Sequence, residues 1–189
     1  YGDVKRVVQP DGIGLEYCRD AVHRITAVVN VPQGQSASVC NGSAPLPGFE
    51  AIVYSLDSAG NRTREEVRDT SGVIKRLLAR QYNTLSQLRS LVNSRYADAP
   101  DAPAAKKTTY SYDGNGNMEW SVDPLDRASD SDFDPLNRLI KAIADADRDG
   151  NPNTSAGEIK AETRYEYDAR DRLRKVFDPK GLPTEYVYN

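Results

Sequence analysis

The segment Asp145-Ala-Asp147-Arg-Asp149-Gly150-Asn151 sets three carboxylates on alternate residues and follows them with a glycine. That order matches the first half of a calcium-binding loop. There, oxygens at positions one, three and five converge on the ion and the glycine permits a sharp turn. Asp145, Asp147, Asp149 and Asn151 are the expected first ligands, and Ca2+ the expected cofactor. Position twelve, where a bidentate Glu closes an EF-hand, is Ala156, and Glu158 stands two residues late as the remaining closing candidate. The flanking residues read as strands, so the expectation is a calcium loop inserted into a hairpin. The competing reading is a solvated acidic turn.

Other chemistry is sparse. His23 is the sole histidine, and no phrase singles out a Ser or Cys nucleophile and an orienting carboxylate to accompany it. The aspartates are numerous, and a paired-carboxylate site would be hidden in that background. Phosphate loops, paired-Cys zinc motifs and dinucleotide fingerprints are missing from the sequence, so no catalytic residue is expected and the chain reads as a non-enzyme. Cys18 reads as a small apolar core residue; a Cys18–Cys40 disulfide is the alternative if the loop around Cys40 folds back in an oxidising compartment. The triplets at Asn41, Asn61 and Asn153 could accept glycans in a eukaryotic secretory pathway, although Asn61 sits in a turn slot that recurs at Asn117. Net charge is −3, with 25 basic and 28 acidic residues intermixed. No basic stripe for nucleic acid is visible, and no run of apolar residues is long enough to span a membrane.

What positions these residues is a repeated phrase: an aromatic residue, an Asp or Asn, then a turn. It reads Tyr110-Ser-Tyr112-Asp113-Gly-Asn-Gly116-Asn117 and Tyr165-Glu-Tyr167-Asp168-Ala-Arg-Asp171-Arg172, with looser copies at Tyr17, Tyr54 and Tyr82. Half-copies lie at Asp123-Pro124, Phe133-Asp134-Pro135 and Phe177-Asp178-Pro179, and a further copy starts at Tyr186-Val-Tyr188-Asn189. From Asp113 the steps are 10 residues to Asp123 and 11 to Asp134; from Asp168 they are 10 to Asp178 and 11 to Asn189. One short strand and one tight turn fill that length, whereas a helical-hairpin repeat needs more than about 30 residues. Rings two residues apart, as in Tyr110 and Tyr112, project from one strand face. Nine of the 11 tyrosines occupy these anchor slots, so they read as packing residues and not as ligands. With three Phe, one Trp and one Met, no deep core is expected.

The register breaks at residues 31–48, 94–107 and 144–161. The first two are loops by their Gly, Ser, Pro and Ala content. Segment 73–95 has apolar spacing that suits either an amphipathic helix or two strands. The register around Tyr82-Asn83 selects strands.

In these phrases the chain resembles YD-repeat, or Rhs-repeat, proteins. Tyr112-Asp113-Gly-Asn-Gly116-Asn117, Asp134-Pro-Leu-Asn137-Arg138-Leu139 and Asp178-Pro-Lys-Gly181-Leu182 are close to the family pattern. The resemblance covers almost all of residues 1–189 outside the three insertions. It implies an all-β fold of consecutive antiparallel hairpins forming a twisted ribbon, one segment of a hollow shell in a larger protein. In bacterial toxin families such a shell encloses a C-terminal toxin domain, and in teneurins a related shell serves adhesion. The implied role here is therefore non-catalytic enclosure of a toxin or effector, in a secreted or cell-surface setting. Its partners would be the rest of the parent chain and the enclosed domain. The rival is an adhesion or carbohydrate-binding module with a carbohydrate or receptor partner. Self-cleavage in the toxin families occurs at an aspartyl site in a core at the shell's end. Asp178-Pro-Lys-Gly181-Leu182 superficially resembles that motif, but its repeat register and the further copy at Tyr186-Val-Tyr188 make it an ordinary half-repeat, so no catalytic residue is carried over.

Overall fold

The computed structural model describes residues 2–94, 107–145 and 160–189, and the described residues are all-β without a helix. The chain divides into two compact units, residues 1–105 and 106–189.

In the first unit, β1 (Arg6–Val8), β2 (Gly14–Arg19), β3 (Ile25–Val31), β6 (Ala51–Leu56), β7 (Arg62–Arg68), β8 (Ile74–Tyr82) and β9 (Leu88–Ser94) pair antiparallel in that order. A separate hairpin, β4 (Cys40–Asn41) and β5 (Ala44–Pro45), lies between β3 and β6 in sequence. The second unit repeats the plan. Strands β10 (Lys107–Tyr112), β11 (Met118–Val122), β12 (Ala128–Phe133), β13 (Leu139–Asp145), β14 (Lys160–Tyr167), β15 (Leu173–Phe177) and β16 (Pro183–Glu185) form an open antiparallel meander. The described part of segment 73–95 is thus two strands, β8 and β9, as the repeat register requires.

One turn chemistry makes these hairpins. At Asp20, Asp57, Asp69, Asn83, Asp113, Asp123, Asp134, Asp168 and Asp178 the Asx amide donates to the carbonyl four residues on, and the third amide after it donates back to the Asx carbonyl. At Asp134 these bonds are 2.9 and 2.8 Å. Its Oδ1 also accepts the amides of Leu136 and Arg138, at 2.9 and 3.0 Å. The Asx side chain thus replaces backbone partners that the turn cannot offer. The third residue after every one of these nine Asx positions has positive φ. Four are glycines, and the others are His23, Ser86, Asp126, Asn137 and Asp171, with φ of 60–67°. The sequence announces that slot only at the four glycines, whereas the structure shows it in the left-handed region in all nine turns. This is a type I turn followed by a left-handed bulge residue, and the strand pairing shifts register beside it, for instance between Glu166 and Tyr167. Pro124, Pro135 and Pro179 supply the φ that the second turn residue needs.

The insertion at 31–48 departs from the plain loop expected of it. Val31 completes β3, and the hairpin β4–β5 folds back so that Val39 is fully buried against Cys18, Ala27, Val29, Val31 and Ala51. Its Gly, Ser and Pro content masked the two apolar anchors, Val39 and Cys40. Residues 95–106 and 146–159, the bulk of the other two insertions, lie outside the described residues.

Candidate functional site

Of the expected calcium ligands, Asp145 is the last residue of β13, and its backbone pairs with Lys160 at the start of β14. The described ends of the insertion are therefore paired neighbours in adjacent antiparallel strands. Asp147, Asp149, Asn151 and Glu158 lie outside the described residues. Among the described residues no group of three or more His, Cys, Asp or Glu side chains is placed to hold a metal ion.

His23 occupies the left-handed slot of the Asp20 turn, with its side chain 78% exposed and Nδ1 2.7 Å from Asp3 Oδ2.

The most organised constellation links successive turns. Along each meander the turns fall in two rows: Asp20, Asp57 and Asn83 share one row of the first unit, and Asp113, Asp134 and Asp168 share one row of the second. Within a row the turns grip each other. The side chain four residues after the Asx reaches to the next turn: Arg24 Nη1 to the Asp57 carbonyl at 3.2 Å, and Asn61 Nδ2 to Ser86 Oγ at 3.0 Å. In the second unit Asn117 Nδ2 donates to Asn137 Oδ1 at 2.9 Å, and Arg138 Nη1 to Asp171 Oδ1 at 2.6 Å. The tyrosine before the Asx adds a second grip. Tyr82 donates its hydroxyl to the Arg62 carbonyl at 3.3 Å, Tyr167 to Leu139 at 2.8 Å and Tyr188 to Leu173 at 2.7 Å. Arg138 lies over the Tyr167 ring at 4.8 Å and Arg172 over Tyr188 at 4.4 Å, within cation–π range. The anchor rings Tyr110, Tyr112, Tyr165 and Tyr167 are half-buried, which fits packing on a partly wet face. Burial, with Tyr110 alongside, raises the Tyr112 hydroxyl above its ordinary pKa.

The same contacts tune the carboxylates. The Arg24 guanidinium holds Asp20 below the usual aspartate range, Arg127 does so for Asp123, and the side-chain amides of Asn61 and Asn117 do so for Asp57 and Asp113. For Asp168 the Arg172 backbone amide leads, with its guanidinium adding to the effect. The connections carrying the insertions at 31–48 and 144–161 lie in the other row of their units, so neither interrupts this interlock. Sequence reading assigned the tyrosines to packing and missed the hydroxyl bonds and the Arg or Asn partner. The available signal was the recurrence of Arg24, Arg127, Arg138 and Arg172 four residues after an Asp.

A third constellation ties down the first insertion. Cys18 and Cys40 form a disulfide, the second of the two readings open from sequence. Beside it Glu16, 0% exposed, accepts Arg6 Nε at 2.8 Å and the Ser38 hydroxyl. Arg6 also donates to the carbonyls of Gln35 and Ala37 at 2.7 and 2.6 Å. Burial alone would push the Glu16 carboxyl up; the Ser38 and Arg6 bonds and the Val39 amide overcome it and hold the carboxyl below its ordinary value.

No family model matches the chain, and no curated protein matches it by sequence. Solved structures do match. A crystal structure of TcdB2-TccC3-TEV superposes with a TM-score of 0.57 at 11% identity, over 88% of this chain and 8% of that one. The chain shares its fold with part of TcdB2-TccC3. A second TcdB2-TccC3 crystal structure aligns over 88% of this chain and 11% of that one, at 11% identity and a TM-score of 0.44. The Photorhabdus luminescens Tc holotoxin pore aligns over 93% and 11%, at 13% identity and 0.43. This chain therefore spans a small fraction of the TcdB2-TccC3 chain whose fold it shares.

Proposed function

We propose that the chain is a non-catalytic wall segment of a β-shell that encloses a C-terminal toxin or effector domain, in a secreted or cell-surface protein. The observation that carries this reading is the turn-to-turn interlock. Within a row each turn bonds to the next through its Asx+4 side chain, and Tyr82, Tyr167 and Tyr188 bond back to the strand before, so the sheet extends without a central core to limit its length. A wall needs that property, and a compact enzyme domain does not. The fold shared with TcdB2-TccC3 supports the same reading. The residue order at Asp145, Asp147, Asp149, Asn151 and Glu158 supports calcium as a ligand of the loop between β13 and β14, outside the interlocked row.

Enclosure is tested on the full-length protein by limited trypsin digestion. Sequence downstream of the shell should resist cleavage in the wild type and become accessible when Tyr112→Ala and Tyr167→Ala together loosen the wall. Equal digestion of downstream sequence in both would overturn enclosure.

A further inference from the structure

The two sulfurs of the Cys18–Cys40 disulfide are not equivalent. Cys18 is 1% exposed beneath residues 32–47, whereas Cys40 is only partly covered. A cavity of about 280 Å3 opens beside Cys40, walled by Asp3, Lys5, Tyr17, Arg19, Ser38 and Gly42; Cys18 is not among its described lining residues. Two basic side chains, Lys5 and Arg19, thus line the cavity that Cys40 borders. The single carboxylate there, Asp3, is engaged by His23 at 2.7 Å and lies 3.9 Å from Arg19 Nε. Cationic surroundings favour a thiolate, and thiol–disulfide exchange depends on which sulfur can be reached.

We propose that this disulfide is a thiol-exchange site, opened at Cys40 by small anionic thiols, and that its reduction frees the strap of residues 32–47. The incoming thiolate attacks Cys40 Sγ and forms a mixed disulfide. The Cys18–Cys40 bond breaks, and Cys18 leaves as a thiolate that takes a proton from solvent. A second thiolate attacks the reductant sulfur of the mixed disulfide, releasing Cys40, which is protonated in turn. Two thiols become one disulfide, and the protein gains two electrons and two protons. The strap then keeps only its non-covalent ties. Arg6 and Glu16 hold residues 35–38, while the hairpin at Cys40–Pro45 loses its covalent link to β2 and uncovers Ala27, Val29 and Ala51.

The test compares reduction of the oxidised protein by glutathione, an anionic thiol, and cysteamine, a cationic one, each corrected for its thiolate fraction. Glutathione should be favoured, and added salt should shrink the preference. Lys5→Glu, at an exposed position, reverses one of the two flanking charges and should lower the glutathione-to-cysteamine ratio at least about threefold. Acid-quenched samples should carry glutathione on Cys40. After full reduction, protease should cut within residues 32–47 while the β-sheet circular dichroism persists. A glutathione adduct on Cys18 would overturn the proposal, as would a ratio indifferent to both salt and Lys5→Glu. A strap that stays protected after reduction, or a sheet that melts with the disulfide, would overturn the release step.

Discussion

The Tyr167 hydroxyl donates to the Leu139 carbonyl at 2.8 Å, joining the strand before one turn to the strand after the previous turn in the same row. The bond crosses 28 residues of sequence, insertion included, and repeats at Tyr82–Arg62 and Tyr188–Leu173. The tyrosine therefore acts as a rivet between hairpins, and its ring and its hydroxyl have separable contributions.

Tyr167→Phe should remove the hydroxyl bond alone and cost about 0.5–1.5 kcal/mol. Tyr167→Ala also removes a half-buried ring and its contact with Arg138, and should cost roughly 2–4 kcal/mol, toward the lower part of the range for buried aromatics. Urea midpoints for both variants decide it, with Leu85→Ala, 76% exposed in a turn, as the unaffected control. An alanine variant that unfolds at the wild-type midpoint would remove the riveting role.

The left-handed slot gives a second test. Asp126 has φ 63° and occupies the position that Gly116 fills in the preceding turn. Asp126→Gly should leave stability unchanged or raise it by up to about 1 kcal/mol, because glycine adopts this conformation without a Cβ penalty. Asp126→Val should lower stability by roughly 1–2 kcal/mol, since a β-branched residue fits it worst. Thermal melts of the pair should diverge in opposite directions from the wild type or, at the least, separate by that amount.

These two tests mark the boundary of what sequence could supply. Strand, turn and register were legible at Tyr112-Asp113 and Asp134-Pro135 because an Asx turn is made by residues within four positions of each other. The left-handed conformation at Asp126 or Asp171 was not, since neither residue type announces it; only the hydrogen bonding of the whole turn enforces it. The Tyr167–Leu139 and Arg138–Asp171 bonds were hidden for a different reason: they depend on which turns fall in one row, a property of the folded meander. The strap over β2 and β3 was least legible, because Val39, Cys40 and Ser38 find Glu16 and Cys18 only after a Gly- and Pro-rich segment turns back.

Calcium is tested directly by melting. With the loop intact, calcium at 100 times its dissociation constant should stabilise the protein by about 2.7 kcal/mol, and a chelator should abolish the gain. Asp147→Ala should remove the response while leaving the calcium-free melting temperature unchanged. A native protein whose melting is indifferent to millimolar calcium does not bind it in this loop.

Acid should loosen the fold through its turns. Asp20, Asp57, Asp69, Asp113, Asp123, Asp134 and Asp168 all titrate below the ordinary aspartate value of 3.8, and Glu16 and Glu66 below the ordinary glutamate value of 4.5. A carboxyl whose pKa is depressed on folding stabilises the native state fully above its unfolded pKa. That stabilisation is lost as pH falls through the folded value. Melting temperature should therefore change little from pH 7 to about 5 and drop steadily below about pH 4. Asp134→Asn keeps an Oδ1 acceptor for Leu136 and Arg138, as Asn83 does for Leu85 and Gln87, and gives up the charge. It should start less stable at pH 7 and lose less on acidification, so that the two curves converge toward pH 2. Parallel curves would mean that the Asp134 charge, with Arg138 beside it, contributes nothing to holding the turn.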